Sequence, residues 1–215
     1  MTTGISDGTL MMFVIHDALR RDADLLARAV EGRDMDNPER RVALLNGWEV
    51  FKRQLKLHHE SEDRDLWPLV RTYLPARDQE NALLNEMEAE HERIEPLIAA
   101  VDTALRNSDS AWLTEAAVAF RRELLAHLEH EERDAVPLLD SVLTSQDWKA
   151  FGRAQRKATG FKGAQEFFPY ILDAADPDRA AQVSKRLPPP LRFLLGRSWQ
   201  PRYARTARWN EPAGT

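Results

Sequence analysis

Residues 53–70 read "RQLKLHHESEDRDLWPLV", and 69 positions later residues 122–139 read "RELLAHLEHEERDAVPLL". Aligned, they pair Arg53 with Arg122, Leu55 with Leu124, His58 with His127, Glu60 with Glu129 and Glu62 with Glu131. They also pair Arg64 with Arg133, Asp65 with Asp134, Pro68 with Pro137 and Leu69 with Leu138. Upstream, Leu44, Trp48, Phe51, Leu55 and His58 recur at spacings of three and four, the period of one helix face. The two stretches therefore read as copies of one helix, each crowding histidines and acids onto an apolar seam.

Working outward, four long helices fill the first 140 residues. The first runs from about Thr9 to Glu31, with Gly32 as its stop. Asn37 caps the second and Pro38 takes its first helical position, and the helix runs to about Tyr73. Pro75 opens the third, which ends near Asn107. Ser108 or Ser110 caps the fourth, which runs through Trp112, Phe120, Leu124 and His127 to Leu139. A fainter echo at a shift of 75 pairs Met12 with Met87 and His16 with His91. Short connections between long helices imply antiparallel neighbours. The expected fold is all-α, an antiparallel four-helix bundle over residues 9–142 built from a duplicated helix hairpin. Residues 145–215 read as a C-terminal helical extension packed on that bundle. "TSQDWKAFGRAQRKATG" and "GAQEFFPYILDAAD" suggest two shorter helices, and Asp176 with Pro177 start a third.

Composition sets the outer limits. With 43% apolar and 30% charged residues the chain reads as an ordinary soluble protein, and nine glycines among 215 residues favour helix. The absence of cysteine excludes disulfides, iron–sulfur clusters, zinc-thiolate sites and thiol nucleophiles, and fits a cytoplasmic location. No run approaches the roughly 18–20 apolar residues of a membrane span. The net charge of −5 conceals an asymmetry, since residues 147–215 hold 13 basic and 6 acidic side chains. That basic part reads as folded against its own acidic bundle, so no nucleic-acid partner is expected, and the chain is read as a monomer or homodimer. No Walker loop, Rossmann fingerprint or GxSxG elbow occurs.

All six histidines, at 16, 58, 59, 91, 127 and 130, fall on the four bundle helices. Residues four apart share a helix face, so an HxxxE pair can offer imidazole and carboxylate to one ion. His58/Glu62 maps onto His127/Glu131, whereas His59/Asp63 maps onto Leu128/Glu132 and Ser61/Asp65 onto His130/Asp134. Only the first register survives in both copies, and it continues the seam through Leu55 and Leu124. His16 and His91 add one imidazole from each remaining helix. Six buried polar groups in one layer would be costly without a partner. The mix suits iron, manganese or zinc, and carboxylates from two helices can bridge two ions. This register leaves His59, Glu60 and Asp63 at the seam's edge or in solvent, some of them as acceptors that orient the imidazoles.

The pattern H…HxxxE…H…HxxxE, with "DLWPLV" and "DAVPLL" after the two HxxxE pairs, resembles the hemerythrin-like (HHE cation-binding) family over residues 9–142. The resemblance implies two non-haem iron ions with an oxo or hydroxo bridge. It implies His16, His58, Glu62, His91, His127 and Glu131 as metal ligands, the two glutamates bridging, and an open position for O2, peroxide or nitric oxide. Oxygen-carrying members have a second histidine on the third helix, one turn from the first. Here the neighbours are Met87 and Glu95, which leaves Glu95 as a candidate seventh ligand, or else water or an open iron. The departure points to oxygen or redox sensing or oxidant handling rather than carriage. The alternatives are a catalase-like or oxidase enzyme, and an iron storage or donation protein.

Overall fold

Each long helix of the bundle region starts where the free N–H groups of its first turn find an acceptor, a side chain in three of the four. Ser6 accepts from the Thr9 N–H at the start of α1 (Asp7–Val30), and Asn37 accepts from Glu39 and Arg40 at the start of α2 (Pro38–Ser61). The computed structural model describes residues 6–31 and 37–209, so the expected stop at Gly32 lies outside the described residues. Helix α2 continues through one wide turn of π geometry, Glu62–Leu66, into α3 (Trp67–Thr72). Helix α4 (Asp78–Asn107) begins three residues after Pro75. Pro75 instead lies in a tight turn, in which the Arg77 N–H donates to the Leu74 carbonyl. The cap of α5 (Ser110–His130) is Asp109, which accepts from the Trp112 N–H at 2.9 Å, and neither neighbouring serine takes that role. Ser108 ends α4 in the left-handed conformation, φ 55°. A second wide turn, Glu131–Ala135, leads into α6 (Val136–Val142).

The repeated prolines account for the two wide turns. Pro68 and Pro137 have no N–H, and a proline ring clashes with the carbonyl four residues earlier in a regular helix. An extra residue in the turn relieves this, so the Trp67 N–H reaches the Glu62 carbonyl and the Val136 N–H that of Glu131. Both turns thus begin at the two candidate ligand carboxylates. Such local widenings are frequent at functional sites.

Helix α1 packs against α2 and α5, and α4 against α5 and α2, so four rods surround one interior. The architecture is all-helical, with no strand among the described residues. The interior holds two apolar clusters. One contains Trp48, Phe51, Leu55, Phe120 and Leu124, with the rings of Trp48, Phe51 and Phe120 edge-to-face at 5.5–5.9 Å. The other contains Met12, Leu66, Trp67, Met87 and Leu139. The histidines and glutamates lie in the rods where these clusters meet.

The remaining chain forms α7 (Ser145–Leu172), α8 (Pro177–Arg186), α9 (Pro189–Leu194) and, after a third wide turn, α10 (Gln200–Ala204). The two helices expected over α7 are separated by a break at Gly160, whose φ of 64° glycine adopts without strain. Helices α7 and α8 pack on α1. Arg186 pairs with Asp7 at 2.7 Å and Arg179 with Asp17, tying arginines of α8 to aspartates of α1. Two tryptophans seat on bundle glycines. A Cβ on Gly8 would lie 2.0 Å from the Trp148 ring, and one on Gly47 would lie 2.5 Å from that of Trp209. No helix among the described residues is long and apolar enough to cross a membrane.

Candidate metal centre

The inward stripes of the four rods bring His16, His58, Glu62, His91, His127 and Glu131 into one layer, none more than 6% exposed. His16, His58, Glu62 and Glu131 form one group whose ligand atoms lie within 4.8 Å of one another. His91 and His127 form a second group, and its third member is His59. The expectation that His59 lies at the edge or in solvent is corrected here, since it is 5% exposed and stacks on His91. Helix α2 has neighbours on two sides, α1 and α4, so adjacent residues about 100° apart around the axis can both face protein. Glu95 does not join the layer and is exposed. The buried stripe of α4 advances through Leu84, Met87, His91, Ile94, Ile98 and Val101, so Ile94 takes the next inward place after His91. Met87 is fully buried in an apolar cluster.

Outer carboxylates fix the imidazoles. His16 Nδ1 lies 2.9 Å from Glu132, His91 Nδ1 2.8 Å from Asp63, and His127 Nδ1 2.8 Å from Glu90. Glu132 is in turn clamped by Arg20 at 2.6 and 2.8 Å, and Glu90 also takes His130 Nδ1 at 2.8 Å. A carboxylate only accepts, so each Nδ1 carries the hydrogen and a neutral ring then offers its lone pair from Nε2. Those Nε2 atoms face inward: His91 to His127 at 3.2 Å and His16 to His58 at 3.1 Å. Between His91 and His127, both held through Nδ1 by carboxylates, two lone pairs meet and cannot bond each other. A cation between them satisfies both.

At the centre, all four carboxylate oxygens of Glu62 and Glu131 are buried without a hydrogen-bond partner. His16 Nε2 comes within 3.2 Å of Glu131 and His58 Nδ1 within 3.2 Å of Glu62, as close contacts rather than aligned hydrogen bonds. Burial and the neighbouring Glu131 charge push the Glu62 carboxyl well above the usual carboxylate range. Burial also pushes Glu131 up, but the His16 charge and its neighbours outweigh it and hold Glu131 low. Burial disfavours a charged His16, yet Glu131 and Glu132 more than compensate and raise it to about 9. Burial and the adjacent imidazoles hold His58 and His59 well below the ordinary histidine value. Around the two carboxylates the His58 and His59 imidazoles are held neutral, and the proton on His16 stands where a cation's charge belongs. This donor set fits metal ions.

Residues 8–139 match the family model described as hemerythrin HHE cation binding domain. The chain belongs to that family. No curated protein and no solved structure matches it. Membership accounts for the H…HxxxE…H…HxxxE pattern and for cation-binding donors in a helical bundle. It leaves His59 to the geometry of this chain.

The expectation that Asp63 could be an acceptor orienting an imidazole is met, and the repeat extends it to Glu132. Asp63 and Glu132 are equivalent under the 69-residue shift, and each accepts from a histidine of another rod, His91 and His16, themselves equivalent under the 75-residue shift. The acid of the rejected His59/Asp63 register is therefore the duplicated outer acceptor. Glu90 carried no such mark, because its partners His127 and His130 lie 37 and 40 residues away.

Proposed function

We propose that the protein is a non-haem di-iron protein that binds O2 or a related small oxidant, peroxide or nitric oxide, for redox sensing or oxidant handling. In this reading residues 9–142 form an antiparallel four-helix bundle and residues 145–215 a helical extension docked on it. His16, His58, Glu62, His91, His127 and Glu131 hold the metal, with the two glutamates shared between the ions. The observation that carries the reading is the pair of buried carboxylates, four oxygens without a donor, ringed by imidazoles whose Nε2 atoms face one another. Two divalent ions in such a layer meet every one of those acceptors, and a carboxylate from each of two helices suits a pair of ions about 3.5–4 Å apart.

Iron at this place would supply a ferrous–ferric couple and an affinity for small diatomic and peroxide ligands. The chain's own residues do the rest. Asp63, Glu90 and Glu132 fix tautomer and ring orientation and raise imidazole basicity. The apolar clusters on either side keep the layer dry, which strengthens every charge interaction within it. The test is to reduce the iron-loaded protein anaerobically and mix it with O2, hydrogen peroxide or nitric oxide while recording absorption. The reading expects new charge-transfer bands with at least one of the three, and bands that shift on adding azide. An iron-loaded protein inert to all of them would overturn it.

A further inference from the structure

The ligand atoms of His91, from α4, and His127, from α5, fall in one group, and α4 carries no second histidine. We propose that His59, from α2, is the third imidazole of the ion that this group holds. The inference rests on the metal reading above and deepens it.

Four observations support it. His59 is 5% exposed, and its Nε2 is buried without a hydrogen-bond partner. A buried histidine nitrogen left this way is costly, and a metal ion is one of the few partners that cures it. Its ligand atom groups with those of His91 and His127 inside 4.8 Å, while the remaining inward donors form a separate group. The ring stacks on His91 at 3.9 Å and meets His127 edge-on at 5.2 Å. Finally, the position equivalent to His59 in the other half of the repeat is Leu128, fully buried. Where one half spends this interior position on packing, the other places a metal-binding side chain.

The ring planes of His59 and His91 lie 12° apart and 3.9 Å between centroids, so their lone pairs lie in nearly parallel planes. Convergence on one ion requires one ring to turn. His91 is held through Nδ1 by Asp63 at 2.8 Å, whereas no side-chain hydrogen bond is formed by His59, so His59 is the ring that turns. The two ions then differ in kind. One has His16 and His58, and the other has His59, His91 and His127. The duplicated sequence builds an asymmetric pair, and the ion with fewer imidazoles is the one with room for an exogenous ligand.

The test uses cobalt(II) as the probe on the full chain, with His59→Ala and, in case that variant folds poorly, His59→Gln. In the unaltered protein, two cobalt ions per chain and five paramagnetically shifted imidazole N–H resonances are expected, one for each of His16, His58, His59, His91 and His127. Either variant should show four, and should lose affinity for one of its two ions by more than the roughly 10–100-fold that removing an outer hydrogen-bond partner costs. Added free imidazole should restore part of that affinity in His59→Ala. Four resonances in the unaltered protein, with cobalt affinity unchanged in both variants, would overturn the role of His59 while leaving the metal reading intact. No cobalt or iron bound by the unaltered protein would overturn both.

Discussion

Replacing glycine by alanine inside a helix normally stabilises it by about 0.8–1 kcal/mol. At Gly47, in the middle of α2, we expect the opposite sign. A Cβ there would lie 2.5, 2.6 and 2.9 Å from three carbons of the Trp209 ring, against ordinary carbon contacts of roughly 3.5–4.0 Å. The ring must retreat by roughly 1 Å, and it has little room. Trp209 is 6% exposed, its ring meets Phe51 at 6.2 Å, and its backbone N–H donates to the Ala43 carbonyl at 3.1 Å. Overfilling a packed contact costs about 1–3 kcal/mol. After the helix gain, Gly47→Ala should destabilise the protein by about 1 kcal/mol. Trp209→Ala alone should cost about 3–5 kcal/mol. In the Trp209→Ala background the clash is gone, so adding Gly47→Ala should stabilise by about 1 kcal/mol. Urea midpoints from far-ultraviolet circular dichroism measure all four proteins without using Trp209 as the reporter. If Gly47→Ala stabilised the unaltered chain as much as the Trp209→Ala chain, the docking of the C-terminal segment on α2 would be refuted.

Three further outcomes are expected. Glu90→Gln and Glu132→Gln should each weaken iron binding by about 10–100-fold in competition with a chelator while leaving the ion count per chain unchanged; a change in count would make them ligands instead. Metal binding at pH 7 should release about one proton, from His16, whose pKa burial lowers but Glu131 and Glu132 raise further, to about 9. Calorimetry in buffers of different ionisation enthalpy reads that number, which should fall as the pH passes about 9, and no release at pH 7 would contradict it. The Tyr170 hydroxyl is buried without a partner, so Tyr170→Phe should leave stability unchanged or raise it by up to ~1 kcal/mol. Burial holds that phenol above its ordinary value of 10.0, so the folded state keeps a proton that the unfolded chain loses. Stability should therefore be full below pH 10 and fall as the pH rises beyond it, less steeply in Tyr170→Phe, and equal slopes would count against the burial argument.

The fold was legible because helices announce themselves by period and punctuation. The spacing from Leu44 to His58 and the caps at Asn37 and Asp176 appear in the structure as read. The misplaced boundaries, Asp109 for a serine and Asp78 for Pro75, were choices between neighbouring candidates that local geometry decides. Of the centre, the duplicated HxxxE register marked the inward face, because duplication constrains one face of a helix more tightly than a single copy does. His59 escaped that logic. A register argument assigns one inward face per helix, whereas α2 is flanked by α1 and α4 and buries two adjacent histidines. Glu95 was drawn in by the four-residue rule, but the stripe through His91 and Ile94 shows the three-residue step winning there. The sequence signal for the wide turns was the proline two residues past each of them. Its physical meaning, a missing N–H and a clash with the earlier carbonyl, required only the backbone.

The central claim is that two metal ions, iron in the cell, occupy the layer between α1, α2, α4 and α5. Elemental analysis of protein purified after aerobic growth with iron supplied tests it most directly, with His58→Ala and His127→Ala as controls. The account predicts two iron atoms per chain, and loss of iron in both controls. One zinc and no iron per chain, or iron retained in full by both controls, would contradict it.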